Sequence, residues 1–97
     1  MIPTSQATRI RLVKVFGPKD HEEAERILIN NCGSSIPLWI GKDEVGLERI
    51  RFAVLKLSGG DLGALRHSVN EANVDWRDVL VAAGFADSPD SYLSWNP

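Results

Sequence analysis

At 97 residues the chain is one domain on length, and its 43 % hydrophobic and 25 % charged content excludes the polar, highly charged mixture of a disordered chain. Its single cysteine, Cys32, excludes an internal disulfide and a cysteine-built metal cage, and nothing points to an oxidising compartment. The net charge of −2 excludes a uniformly basic surface, but it hides an asymmetry between the two ends of the chain.

Arg9, Arg11, Lys14 and Lys19 fall in residues 1–19, which hold no acid. From Asp61 onward, Asp61, Glu71, Asp75, Asp78, Asp87 and Asp90 stand against only Arg66 and Arg77, a surface that repels phosphate backbones. A nucleic-acid partner would have to use the first segment. That segment lacks the basic start and apolar run of a signal peptide, and no window approaches a membrane span. A cytoplasmic protein without membrane contact is expected.

The stretch ATRIRLVKVFG is rich in β-branched residues and alternates at Arg9, Ile10, Arg11 and Leu12 until Val13 breaks the pattern. A lone strand has no partner in an otherwise helical chain, so Ser5 to Phe16 reads as helix, with a strand over 7–16 as the alternative. Next, DHEEAERILINNCG offers Asp20 as N-cap and Glu23 as its capping-box partner. Ala24, Ile27 and Leu28 would face inward and Gly33 would end the helix. The segment SSIPLWIGK reads as a loop burying Leu38, Trp39 and Ile40, with Pro37 barred from a helix interior.

The clearest helix signal is DEVGLERIRFAVLKLSGG, with Asp43 as N-cap and Gly46, Ile50, Ala53, Val54 and Leu57 on one stripe. Phe52 and Leu55 form a second apolar row, so this element is expected to be the most buried, with Glu48 and Arg51 outward as a weak pair. After a turn at Ser58 to Gly60, Asp61 caps a helix carrying Leu62, Leu65, Val69 and Ala72, and Asn73 suits the left-handed position that ends it. In VDWRDVLVAAGFA, Asp75 is the expected N-cap, Asp78 completes a box, and Val74 staples onto Val79. Trp76, Val79, Leu80 and Ala83 make the buried stripe, and Gly84 closes the helix with Phe85 packing back. A last short turn runs from Pro89 to Trp95, with Ser88 as cap.

Sites for chemistry are scarce. His21 with Glu25 and His67 with Glu71 have the helical spacing of paired metal ligands, but the second pair faces water and the first sits at the edge of its stripe. Cys32 lies at a helix C-terminus, where the dipole disfavours a thiolate. Ser34 and Ser35 lack a nucleophile-elbow context, and Gly59 and Gly60 lack the lysine and length of a phosphate loop. LRHSVNEANVDWRDVLVAAG has the skeleton of a helix-turn-helix, yet its outward Arg77, Asp78, Val81 and Ala82 carry a net charge near zero, with no Asn, Gln, Lys or second Arg to read bases or hold phosphates.

From Ala53 to Ala86 the sequence resembles small bacterial proteins carrying an LKLS.GDL..L turn, then DWRD or DYRD before a short alanine-rich helix. The likeness covers about a third of the chain. It implies a bacterial, cytoplasmic setting and attaches no activity to any residue.

The expected fold is all-α, a compact bundle of four or five short helices. The expected function is a non-catalytic protein-interaction domain that binds another protein or itself as a homodimer, without metal or cofactor. Trp39, Tyr92, Leu93 and Trp95 are the candidate interface, since aromatic side chains outside the periodic helices either close a core or anchor a partner. The alternative is a helix-turn-helix-like regulator that binds nucleic acid through the basic N-terminal segment.

Overall fold

In the computed structural model, which describes residues 2–33, 36 and 44–97, Ser5 opens the first helix. Its backbone is extended (φ −73°, ψ 165°) and its Oγ accepts the Thr8 amide at 3.1 Å, the geometry of an N-cap. Helix α1 then runs Gln6–Asn31, so the strand alternative for 7–16 is not borne out. Thr8, Leu12 and Phe16 recur at helical spacing and bury one face, and that packing overrides the β propensity of their neighbours.

α1 bends at Gly17, whose φ of 75° and ψ of −179° suit glycine alone. Pro18 opens the stretch that follows, where its missing N–H costs no bond. Asp20 therefore lies inside the helix and is not a cap, and Glu23 pairs with Arg26 and, at 3.3 Å, with Arg66. Among the described residues the left-handed glycines are Gly17, Gly59, Gly60 and Gly84, so Gly33 is not the left-handed stop it was expected to be. Cys32 is the C-cap instead, its amide reaching the Leu28 carbonyl at 3.0 Å.

Helix α2, Glu44–Ser58, is the core of the molecule: Arg51, Phe52, Ala53, Val54 and Leu55 are all buried in succession. It packs most extensively on the helix that follows it and also meets α1 and the C-terminal turn. The expected cap Asp43 and the loop residues Leu38, Trp39 and Ile40 lie outside the described residues. Glu48 and Arg51 are not an outward pair, because Arg51 is only 2 % exposed.

Helix α3, Leu62–Ala83, starts at Asp61 (φ −104°, ψ 124°), whose Oδ2 accepts the Ala64 amide at 2.8 Å. Asn73 does not end it. Its Nδ2 donates to the Asn31 carbonyl at 2.7 Å, which ties α3 to the end of α1. The break falls at Asp75 (φ −154°, ψ 100°), which caps the next stretch by accepting the Arg77 amide at 3.1 Å. Val74 is 81 % exposed and so is not stapled onto buried Val79. At the far end Phe85 N donates to Leu80 O at 2.8 Å and Gly84 N to Val81 O at 3.1 Å, a Schellman motif that buries Phe85.

After α3 a 3₁₀ turn, Ser91–Ser94, completes the chain's regular structure. The fold is thus all-α among the described residues, with three helices in place of the expected four or five. The breaks at Gly17 and Asp75 redirect α1 and α3 within a continuous run, with no loop to separate the pieces. No described helix is long and apolar enough to cross a membrane.

Candidate functional site

The four candidate interface residues fall into different environments. Tyr92 is 2 % exposed, so it cannot anchor a partner. Its ring stands edge-on to Phe52 with centroids 4.9 Å apart, and its hydroxyl donates to Glu48 Oε2 at 2.9 Å. Trp95 is half-buried, 6.1 Å from Phe52 and 6.4 Å from Phe85, and closes the end of the core. Leu93 is 54 % exposed. Trp39 lies outside the described residues.

Cations of α1 hold this tail in place. Arg11 lies 4.4 Å over the Phe52 ring and donates from Nε to the Trp95 carbonyl at 3.1 Å, and Lys14 Nζ reaches Asn96 Oδ1 at 2.9 Å. Burial, and then the bond and charge of Glu48, push the Tyr92 hydroxyl up to about 12.

A second polar cluster surrounds Arg51. Its Nε donates to the Cys32 carbonyl at 2.9 Å, Nη1 to Pro3 O at 2.9 Å, and Nη2 to Ile2 O at 2.7 Å and Leu28 O at 3.3 Å. One guanidinium thereby satisfies the Cys32 carbonyl at the end of α1, where a cation is favoured by the helix dipole, adds a second donor to the Leu28 carbonyl that already accepts the Cys32 amide, and also clasps the extended segment before Ser5. Thr4 donates to Glu25 and Ser5 to Glu48, fastening the same segment. Ile2, Thr4, Thr8, Leu47, Glu48 and Arg51 line a cavity of about 140 Å³ between these elements. Sequence reasoning missed this cluster, because an arginine on a helix reads as solvent-facing unless its acceptors are known.

Cys32 beside this cluster is fully buried, and desolvation outweighs the opposing influence of Arg51, raising the thiol to about 12. Arg51 is itself shifted down by burial. His67 Nε2 and Glu71 Oε1 do meet, at 3.2 Å, but both are exposed, and no group of three metal-ligating side chains forms among the described residues. Gly59 and Gly60 make a turn in which Gly60 passes close to the Val15 carbonyl, as a helix connection and not a phosphate cradle. In the stretch read as a helix-turn-helix skeleton, the two helical pieces of α3 meet at a single non-helical residue, Asp75, and not at a turn centred on Asn73.

Among the described residues, the large apolar side chains left exposed are Ile10, Val13, Val74, Val81 and Leu93. Ile10 and Val13, one turn apart on α1, are each 47 % exposed, with exposed Arg9 and Lys14 beside them. Val74 and Val81, on either side of the α3 break, are 81 % and 67 % exposed, near exposed Glu71 and Asp78. The signal for the first patch lay in the sequence: Ile10 and Val13 fall off the Thr8, Leu12, Phe16 row. Comparison of the chain with protein-family models, with curated proteins and with solved structures returns no match.

Proposed function

We propose that this chain is a small non-catalytic protein-interaction domain that docks through the exposed face of α1, with Leu93 of the neighbouring tail. The observation that carries this is the pair Ile10 and Val13, large apolar side chains at adjacent turns that the core leaves 47 % exposed. The titratable groups near the core speak for the same reading. Arg51, Glu48 and Tyr92 are committed to partners inside the molecule, and the Cys32 thiol is buried and protonated.

Nucleic acid is the weaker reading. Arg9 donates to the Thr4 carbonyl, Arg11 to those of Ala7 and Trp95, and Lys14 to Asn96, so the basic segment already serves the fold. Its outward face centres on two apolar residues, which gain nothing from phosphate.

The test is a photo-crosslinking amino acid at Val13 in the living source cell. A discrete adduct that disappears in Ile10→Glu and is not formed from a probe at exposed Asn70 supports the reading. Adducts that are equal from both positions overturn it.

A further inference from the structure

We infer that the cleft where the two pieces of α3 meet the end of α2 binds a small aliphatic ammonium ion that carries a second polar group. Leu57 of α2, His67, Ser68 and Glu71 from before the break at Asp75, and Asp78 and Val79 from after it line one cavity of about 410 Å³. That volume suits a small molecule, whose sites span about 300 to 1,000 Å³. The lining takes nothing from α1, so the site is separate from the Ile10 and Val13 face.

Ser68 supplies the cleft with a polar group that the fold leaves unused. It is only 6 % exposed, and its hydroxyl makes no hydrogen bond among the described residues. A helical serine commonly bonds a carbonyl one turn back, as Ser58 does with Leu55 at 2.6 Å. Ser68 does not. Buried hydroxyls are satisfied as a rule, so one without a partner that lines a cleft points to a ligand group there.

The rim sets the sign of that ligand. Glu71 and Asp78 are both exposed, and the Asp78 carboxylate has no hydrogen bond or ion pair among the described residues. Neighbouring cations are engaged elsewhere: Arg66 with Glu23 at 3.3 Å, Arg77 with Asp75 at 3.1 Å, and Lys56 with the Ala83 carbonyl at 2.8 Å. His67 lies 3.2 Å from Glu71 and adds charge only when protonated. The cleft therefore favours a cation. A bare divalent ion does not fit, since no three ligating side chains converge among the described residues. Half-buried Leu57 and buried Val79 add an apolar wall, which calls for an alkyl body. An ammonium on a short chain with a hydroxyl at its other end meets all three features.

The test is a titration of the whole chain near neutral pH, followed by amide shifts in two-dimensional NMR, with aminobutanol, butylamine and butyrate as probes. Aminobutanol should shift the amides of Leu57, Ser68 and Val79 saturably, and butylamine, with nothing to offer Ser68, should bind at least about fivefold more weakly. Butyrate should not bind. Asp78→Asn should weaken aminobutanol at least about fivefold through loss of a charge-assisted contact. Ser68→Ala should abolish the difference between the two amines and leave the melting temperature unchanged or raised, because the hydroxyl it removes has no partner. Absence of saturable shifts at these residues overturns the inference, as does butyrate that binds as tightly as the amines, or a Ser68→Ala chain that still prefers aminobutanol. Nα-acetyl-lysine methylamide presents the same ammonium from a peptide. If it binds more tightly than aminobutanol, the free amine is overturned and the cleft is a seat for a partner's lysine.

Discussion

Arg51 Nη2 donates to the Ile2 carbonyl at 2.7 Å, across 49 positions of sequence. This bond brings the segment ahead of α1 onto the middle of α2. The same guanidinium reaches Leu28 and Cys32 at the end of α1, so one side chain locks three parts of the chain together.

Removing it should be among the costliest single changes. Arg51→Met leaves buried carbonyls without donors and should lower unfolding free energy by about 3 to 5 kcal/mol, read from urea denaturation. Arg51→Lys should recover only a minor part, since one ammonium cannot span acceptors that a planar fork reaches from several sides. A loss below about 1 kcal/mol for Arg51→Met would show that the clamp contributes little.

Tyr92 makes stability depend on alkaline pH. Its hydroxyl titrates near 12 in the fold and near 10 when unfolded, so the folded state holds the proton more tightly. The resulting stability is fully present below pH 10 and is lost as pH rises through the folded value, about 12. Tyr92→Phe should cost about 1 kcal/mol at neutral pH and should lose stability less steeply than the parent chain in that alkaline window. Denaturation midpoints measured at several pH values decide it; parallel curves for the two chains would sink the assignment.

Cys32 should be inert in the native state. It has no exposed surface and its thiol is raised to about 12, so little thiolate exists at pH 8. Iodoacetamide labelling followed by mass spectrometry should be slow in buffer and rapid in denaturing urea. Rapid labelling of the folded chain would contradict the buried position.

The two turn glycines should respond differently to alanine. Gly60 has φ 86° and a Cβ there would lie 2.8 Å from the Val15 carbonyl oxygen, whereas Gly59, at φ 58°, has open space around it. Gly59→Ala should cost about 1 kcal/mol from left-handed strain alone. Gly60→Ala adds a clash with backbone and should cost at least about 2 kcal/mol. Equal losses in thermal denaturation would mean that the turn moves freely away from α1.

Much of the helical plan follows from the sequence by itself. Asp61 and Gly84 mark the two ends of α3, and the crowded apolar rows of the Glu44–Ser58 stretch make it the buried centre. Caps and periodicity are local: a side chain that bonds the amide three residues on, or a face that repeats every turn, needs no knowledge of distant residues.

Tertiary structure decided what local rules leave open. Asp20 had the residue types of a cap, yet the chain had already restarted at Pro18, and Asn73 could have ended a helix but bonds Asn31 instead. Arg51 read as a surface residue because its carbonyl partners on Ile2, Pro3, Leu28 and Cys32 converge only once α1 bends at Gly17 and α2 packs inside it. Tyr92 read as an anchor because a tail aromatic can equally close a core, and the choice depends on Phe52 and Glu48 waiting on α2. The candidate surface moved for the same reason. Which apolar side chains stay outside is a property of how the helices share their faces, and sequence spacing alone specifies each face without saying which neighbour will cover it.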